Sequence, residues 1–229
     1  EVSDPSTHSD ANRAIAVVVL PGANGGDEAV VGVTATGLSR IDLTPQTLET
    51  KAEAMDTMVS SSFVSGGLVR YATFSTYGNA STATLGCDES DGLWTGMALG
   101  AQAYRLATTS DDSAAALVGE LFTGMSMLNA VTGDIGYPAR SYARIGQPLC
   151  GGIGWNASDA IPGLQWKGDT SSEEVTAHLF AYPLVLDTLG ARNASAAARA
   201  RDLLTTITDY IMSHGFVLVD PVTGNRTRW

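Results

Sequence analysis

A cluster of ionisable side chains stands where a predicted loop meets a predicted helix, in residues 167–178. Asp169 and Glu173 are four residues apart, and two carboxyl groups of this kind can act as general acid and general base. His178 follows Glu174 by one helical turn, so the two would share a helix face, where a histidine could shuttle a proton. These residue types predict a catalytic site that includes Asp169, Glu173 and His178.

Simpler roles account for part of the same segment. Thr170 or Ser171 can cap the helix, and Glu173 or Glu174 can complete a capping box three residues later. His178 can equally be a buried histidine that is hydrogen-bonded in the core. Capping alone does not require the remaining charged residues, so the surplus favours a site.

A second candidate carboxylate precedes an aromatic residue by one helical turn. Glycoside hydrolysis needs two carboxyl groups roughly 5–10 Å apart, depending on its stereochemistry. A fold that places Asp91 across a pocket from Asp169 would supply them, and Trp94 would offer a platform on which a sugar ring stacks. The alternative is that Asp91 caps a helix and Trp94 belongs to the core.

Four further residues are candidates for substrate binding. Arg140 could hold a carboxylate such as that of a uronic acid with two hydrogen bonds, and Lys167 could add a second positive charge. Tyr137 and Trp166 could serve as additional sugar platforms. Arg140 could instead form a structural bridge to Asp169 or to a neighbouring glutamate.

The composition argues against several classes of partner. The 229 residues carry a net charge of −11 and no basic cluster, which disfavours nucleic acid and anionic membranes. The longest apolar stretch, residues 14–20, is too short to span a bilayer. Two cysteines without paired spacing do not form a zinc site, and no nucleotide-binding or metalloprotease motif occurs. We therefore predict no metal, no cofactor and no membrane insertion.

Sequons and cysteines indicate an oxidising compartment. Four of the seven asparagines stand in Asn-x-Ser/Thr sequons, which is typical of a secreted or surface glycoprotein. These four are Asn79, Asn156, Asn193 and Asn225. Accidental sequons in a Ser/Thr-rich chain are the alternative, and Asn193 would also serve as a helix N-cap. Cys87 and Cys150 fit the same compartment as a disulfide, with two buried free thiols as the alternative.

Apolar periodicity and turn signals predict short strands followed by helices. Strands are predicted at residues 14–20, 29–34, 38–43 and, less regularly, 68–74. Helices are predicted at residues 44–60, 91–107, 111–131, 171–189 and from 193 or 195 to 213. Thr44 is the expected cap of the first helix, with Pro45 at its first position. Residues 132–170 are predicted as a long ordered loop, and residues 216–220 and 225–229 as a hairpin.

This order of elements predicts a mainly α fold with two parts. Residues 1–43 have the strand–turn–strand spacing of one propeller-like blade behind a flexible N-terminus, and one blade needs neighbours to bury its faces. Residues 44–229 form helix–loop–helix pairs with long connections, which is typical of an α/α-hairpin toroid. The helices are too few for a complete toroid, so we expect a partial one, completed by further chain segments or by another polypeptide.

Several blocks of the sequence resemble a known family. It is a helical domain found in many bacterial proteins, often behind a β-propeller of the two-component-regulator type. The blocks lie at residues 91–97, 103–109, 136–141, 167–174 with His178, 208–216 and 227–229, and residues 31–42 resemble the last propeller strands. The resemblance implies a toroid similar in architecture to the six-hairpin glycosidases, and it supplies no catalytic residues.

Two functions follow as hypotheses. The first is a secreted glycoprotein domain that binds a polysaccharide and could cleave it, as a glycoside hydrolase or a polysaccharide lyase. The second is a non-catalytic structural subunit of an extracellular or cell-surface assembly, in which the polar cluster only holds the long loop against the helices. Carboxylates that converge on open space would favour the first hypothesis, and carboxylates that are all paired would favour the second.

Overall fold

The computed structural model describes residues 16–20, 28–34, 37–43, 45–76 and 79–228. The chain divides into two compact units, Glu1–Met55 and Asp56–Trp229. Every residue predicted to take part in catalysis or substrate binding belongs to the second unit.

The first unit contains one antiparallel sheet of three strands. The strands are β1 (Ala16–Leu20), β2 (Glu28–Thr34) and β3 (Gly37–Leu43), and they pair in chain order. These bounds agree with the three predicted strands to within two residues. The propeller blade to which we assigned them stays a prediction.

The first helix, α1 (Leu48–Ser62), begins later than the sequence indicates. The hydroxyl oxygen of Thr47 accepts a hydrogen bond from the Thr50 amide at 3.0 Å, the bond that an N-cap residue makes. Pro45 therefore precedes the helix instead of forming its first residue. The predicted cap, Thr44, lies outside the described residues.

The second unit is mainly helical, as predicted. Its helices are α2 (Asp91–Thr109), α3 (Asp112–Ala130), α4 (Ser172–Asp187), α5 (Leu189–Arg192) and α6 (Ala194–Ser213). The side chains of Asp111, Ser171 and Asn193 cap α3, α4 and α6 by accepting hydrogen bonds from the first-turn amides. The toroid arrangement of these helices stays a prediction.

Short strands connect the helices. A hairpin turn joins β4 (Val64–Ser65) to β5 (Leu68–Val69), and β6 (Tyr71–Phe74) pairs with β7 (Ala83–Gly86). The segment that we predicted as a loop, residues 132–170, contains β8 (Ser141–Arg144), β9 (Trp155–Ala157) and β10 (Leu164–Lys167), paired antiparallel in the order β8–β10–β9. Strands of three or four residues are too short to show the period-2 alternation by which strands are recognised.

The core lies between α2, α3, α4 and α6. Helix α2 packs against both α3 and α4, and α4 packs against α6. The α2–α4 approach is close because glycines face α4: a Cβ on Gly96 would lie 2.7 Å from the Cβ of Ala177. Large side chains fill the centre, among them Leu99, Met125, Tyr182 and Ile207.

The predicted C-terminal hairpin is reduced to a single bridge between Val219 and Arg226. The Asp220 carboxylate accepts hydrogen bonds from the amides of Val222 and Thr223, both at 3.0 Å, so the turn is held by a side chain. Phe216, three residues after the end of α6, has a φ of 65°, so the predicted strand at residues 216–220 is not extended at its first residue.

Candidate functional site

The predicted carboxylate Asp91 lies at the first residue of α2 and is fully buried. Its Oδ2 atom is 2.7 Å from the Nη1 atom of Arg70 and accepts a second hydrogen bond from the hydroxyl of Ser141. Its Oδ1 atom accepts a bond from the amide of Asp88 at 3.2 Å. Burial raises the pKa of Asp91 above its ordinary value, and the charge of Arg70 opposes that rise. The carboxylate is thus enclosed by protein donors.

Arg70 connects this carboxylate to the surrounding chain. Its guanidinium donates to the carbonyl oxygens of Ser65 at 3.1 Å and Tyr142 at 2.9 Å. Its Nη1 atom also lies 3.3 Å from the sulfur of Cys87, which forms a disulfide with Cys150. One buried arginine therefore joins the β4–β5 hairpin, the start of α2, β8 and the disulfide.

The second predicted carboxylate, Asp169, lies at a different place, beside the C-terminal turn. Its two oxygens accept hydrogen bonds from the backbone amide and the Nε atom of Arg228. Burial raises the pKa of Asp169, but the hydrogen bonds and charge of Arg228 lower it more, so it stays below its ordinary value. Its backbone has a φ of 54° and donates to the buried carboxylate of Asp220 at 3.0 Å. Asp169 is an ion-paired residue of a sharp turn.

Two of the residues predicted to bind substrate lie beside one exposed carboxylate, that of Glu89. The ammonium of Lys167 lies 3.1 Å from the carboxylate of Glu89, and Nη1 of Arg140 lies 3.8 Å from the same carboxylate. Hydrogen bonding and charge from Lys167 lower the pKa of Glu89. Arg140 is itself buried and donates to the carbonyl oxygens of Glu89 and Asp169. The bridge that we considered between Arg140 and Asp169 thus runs through a backbone oxygen.

Tyr137 and Trp166 lie in the core. Neither ring is accessible as a sugar platform, and the two pack edge to face with centroids 6.3 Å apart. The Tyr137 hydroxyl accepts from the amide of Thr170 at 2.9 Å and donates to Asp220 at 3.2 Å. Burial raises the pKa of Tyr137. These two aromatic residues hold the sheet and the C-terminal turn against the helices.

Trp94 differs from them because 55% of it is exposed. Met97 and Tyr104 are exposed to a similar extent and follow at helical spacing along α2. Phe180 of α4 crosses α2 between them, since a Cβ on Gly100 would lie 2.4 Å from its ring. We call these four side chains (Trp94, Met97, Tyr104 and Phe180) the α2 ridge.

Of the predicted acid–base residues on α4, one faces solvent and one faces the core. Glu173 is exposed, whereas His178 is fully buried. The Nδ1 atom of His178 lies 2.8 Å from the hydroxyl of Tyr182, and its Nε2 atom has no hydrogen-bond partner among the described residues. Glu174, next to Glu173, is also fully buried, and its two carboxyl oxygens likewise have none.

Two surface grooves are formed by other residues. One, of about 400 Å³, lies between the start of α4 and the C-terminal turn, where Phe216 and Arg226 line it. The other, of about 250 Å³, lies between α3 and α6 and is lined by Asn129 and Leu203 among others. None of the residues predicted to be catalytic or substrate-binding lines either groove.

The four predicted glycosylation sites differ in how their sequons are held. Asn79 and Asn193 are exposed N-caps whose Oδ1 atoms accept hydrogen bonds, which leaves the amide nitrogen for a glycan. The hydroxyl-bearing residues of the other two sequons, Ser158 after Asn156 and Thr227 after Asn225, are buried.

We did not predict from the sequence that Arg70 and Asp220 take part in these networks, or that Glu174 is buried. No local signal indicates Arg70, because its partner Asp91 is 21 residues away. A signal for Glu174 does exist, since it precedes the buried residues Ala181 and Val185 by seven and eleven positions, which is helical spacing.

In a comparison with known proteins, no family model, curated protein or solved structure matches the chain. Among the described residues, no group of three or more His, Cys, Asp or Glu side chains could hold a metal ion. No helix in the same part of the chain has the length and apolar character to cross a membrane.

Proposed function

We propose that this protein is a non-catalytic structural module of an extracellular assembly. The observation that carries the proposal is the pairing of two candidate carboxylates, Asp91 and Asp169, which we predicted to face each other across a pocket. Asp91 is enclosed by Arg70 and Ser141, and Asp169 is bound by Arg228. A general acid or base needs contact with the group that it protonates or deprotonates, and Asp91 has no exposed surface.

The aromatic residues support the same proposal. A sugar platform must expose a ring face, and Tyr137 and Trp166 instead contribute their rings to the core. Their partners are other parts of the chain, notably Thr170 and Asp220. The polar segment between α3 and α4 therefore has the contacts of a scaffold that fixes a loop, sheet and turn to the helices.

The α2 ridge is the surface that we assign to a protein partner. Trp94, Met97 and Tyr104 are each more than half exposed, on one side of a single helix. Aromatic residues and methionine are enriched where proteins meet and depleted elsewhere on protein surfaces. A rigid helix that presents such residues is suited to a protein contact.

The extracellular location rests on the disulfide and the sequons. Cys87 and Cys150 are paired, and no free cysteine occurs among the described residues. Structural disulfides persist in oxidising compartments. Asn79 and Asn193 present exposed acceptor nitrogens, as a glycan requires.

Replacement of the ridge tests the assembly role. We expect the double variant Trp94→Ala/Tyr104→Ala to be lost from high-molecular-weight complexes that are crosslinked on intact cells. Ile153→Ala is the matched control, because Ile153 is 96% exposed and lies in the loop before β9, outside the α2 ridge. Melting temperatures of all three proteins should agree. Retention of the double variant in the complexes would overturn the proposal.

A second candidate function is polysaccharide binding at the start of α2. One observation favours it: Trp94, which is 55% exposed, lies on the first turn of α2, five residues after Glu89 of the Glu89–Lys167 pair. A sugar could stack on the ring while the charged pair binds its hydroxyl or carboxylate groups.

Affinity electrophoresis in gels that contain a uronic-acid polysaccharide separates the two candidates. Sugar binding predicts that Trp94→Ala loses retardation while Tyr104→Ala and Ile153→Ala keep it. Equal mobility of all variants with and without polysaccharide would eliminate this candidate and leave the structural one.

A further inference from the structure

Glu174 lies in the seam where α4 meets the first turn of α2. A Cβ on Gly92 would lie 2.3 Å from its Oε2 atom, so the carboxyl group occupies the space that only a glycine leaves open. The residue has no exposed surface, and neither carboxyl oxygen has a hydrogen-bond partner in the described chain. An ionised carboxylate in such a place is strongly destabilised, whereas the neutral acid is tolerated.

The groups around Glu174 do not provide a full counter-charge. The pKa of Glu174 is raised to about 8, mainly by burial, with smaller contributions from repulsion by Asp91 on α2 and Glu173 on α4. The charge of Arg140, in the segment before β8, opposes the rise, as does the backbone amide of Leu93 on α2, which lies near the carboxyl group but outside hydrogen-bond geometry. Arg140 is committed elsewhere, to the carbonyl oxygens of Glu89 and Asp169.

His178 follows one turn later on the same buried face of α4. Its Nε2 atom has no partner in the described chain, and its Nδ1 atom shares a hydrogen bond with Tyr182. Burial lowers the pKa of His178 to about 3, so the ring is neutral down to strongly acidic pH. Asn129 of α3 donates to the Tyr182 hydroxyl at 3.0 Å and brings no charge.

We propose that Glu174 and His178 form a proton-controlled latch between α2 and α4, which is closed when Glu174 is protonated and His178 is neutral. Loss of the Glu174 proton to solvent leaves a carboxylate that must leave the space beside Gly92 to find water or Arg140. Gain of a proton by His178 places a cation on the same buried face of α4, beside Tyr182. Either event loosens the start of α2 from α4.

The raised pKa of Glu174 and the lowered pKa of His178 determine the pH range in which the folded protein is most stable. Folded Glu174 keeps a proton that the unfolded chain loses at its ordinary pKa of 4.5, so stability falls as pH rises from 4.5 to about 8. Folded His178 lacks a proton that the unfolded chain binds below 6.5, so stability falls as pH drops from 6.5 towards 3. The two slopes oppose each other between pH 4.5 and 6.5, which makes that interval the stability maximum.

Denaturant unfolding at several pH values tests the latch. Between pH 6.5 and 8 the unfolding constant of the wild type should rise about tenfold per pH unit, because one proton is released on unfolding. Glu174→Gln should abolish that rise. Glu173→Gln is the matched control, since Glu173 is the exposed neighbour on the same helix, and it should retain the wild-type slope.

Nuclear magnetic resonance gives a second test that does not depend on unfolding. In protein labelled at the glutamate carboxyl carbons, the Glu174 signal should titrate near pH 8, and the amides of Gly92, Leu93 and Gly96 should shift with the same midpoint. Amides of α6 serve as the internal control and should not follow it. A Glu174 midpoint in the ordinary glutamate range, or α2 amides that ignore the titration, would overturn the proposal.

Discussion

At the scale of single residues, the carboxylates of Asp91 and Asp169 are chemically identical but lie in very different surroundings. Asp91 and its partner Arg70 are both almost completely buried, whereas Asp169 pairs with an arginine whose side chain is 76% exposed. Removing one member of a buried pair strands the other charge, while an exposed pair is screened by water. The same substitution should therefore have very different effects at the two sites.

We expect Asp91→Asn to lower the free energy of unfolding by about 3–5 kcal/mol, because Arg70 is left as an uncompensated buried cation. Asp169→Asn should cost about 1 kcal/mol or less, since its partner Arg228 remains hydrated. Urea denaturation monitored by circular dichroism measures both losses. Equal losses in the two variants would contradict the network described around Arg70.

Sequence alone finds some of these residues and misses others for a physical reason. Asp91 is recognisable because a carboxylate before a helical apolar run is a local pattern. Arg70 is not recognisable, because tertiary packing brings it to Asp91 and no spacing rule connects them. Glu173 and Glu174 are adjacent and chemically alike, and only the helical spacing of Glu174 to the apolar residues Ala181 and Val185 indicates which one is buried.

At the scale of elements, glycines determine how closely helices approach their neighbours. On α3, a Cβ on Gly124 would lie 2.1 Å from the backbone oxygen of Gly67 in the β4–β5 turn. Gly119, on the same helix, would meet nothing closer than the Cδ2 atom of Leu189 at 4.0 Å. One helix thus carries a glycine that packing requires and one that it does not.

Gly124→Ala and Gly119→Ala should change stability in opposite directions. Gly124→Ala forces α3 and the β4–β5 turn apart and should cost at least about 1–3 kcal/mol, as overpacking does. Gly119→Ala should gain about 0.5–1 kcal/mol, because alanine favours helix and its methyl group meets open space. Thermal unfolding of the two variants checks the sign, and a loss at both sites would refute this account of α3.

Helices were predictable at this scale and the second-unit sheet was not. The caps Asp111 and Asn193 are local signals: α3 begins one residue after its predicted cap, and α6 begins after Asn193, one of the two caps predicted for it. The β8–β10–β9 sheet depends on partners from separate parts of the 39 residues that we predicted as a loop, 132–170, and its strands are too short to show a period.

At the scale of the whole second unit, one covalent link joins the segment before α2 to the segment between β8 and β9. The Cys87–Cys150 disulfide joins residues that are 63 positions apart and closes a ring that contains α2, α3 and β8. Inside the ring lie Asp91, the α2 ridge residues Trp94 and Tyr104, and Arg140. A cross-link of this length stabilises mainly by restricting the unfolded chain.

The double variant Cys87→Ser/Cys150→Ser should lose about 4 kcal/mol of unfolding free energy in the chain-entropy model. Reduction of the wild type by dithiothreitol should lower its urea midpoint to a similar value, because both treatments open the same ring. The reductant should leave the double variant unchanged, since the described chain holds no other cysteine. A reductant effect that persists in the double variant would show that the disulfide is not its target.

The ring also determines how the module responds to tension. A pull applied outside it passes from Cys87 through the two sulfur atoms to Cys150, so α2 and α3 bear no load. The 63 positions that separate these cysteines correspond to about 220 Å of extended chain at roughly 3.5 Å per residue. While the disulfide is intact that length cannot extend, and the α2 residues of the ridge, Trp94, Met97 and Tyr104, stay within the unloaded ring while the rest of the chain is stretched.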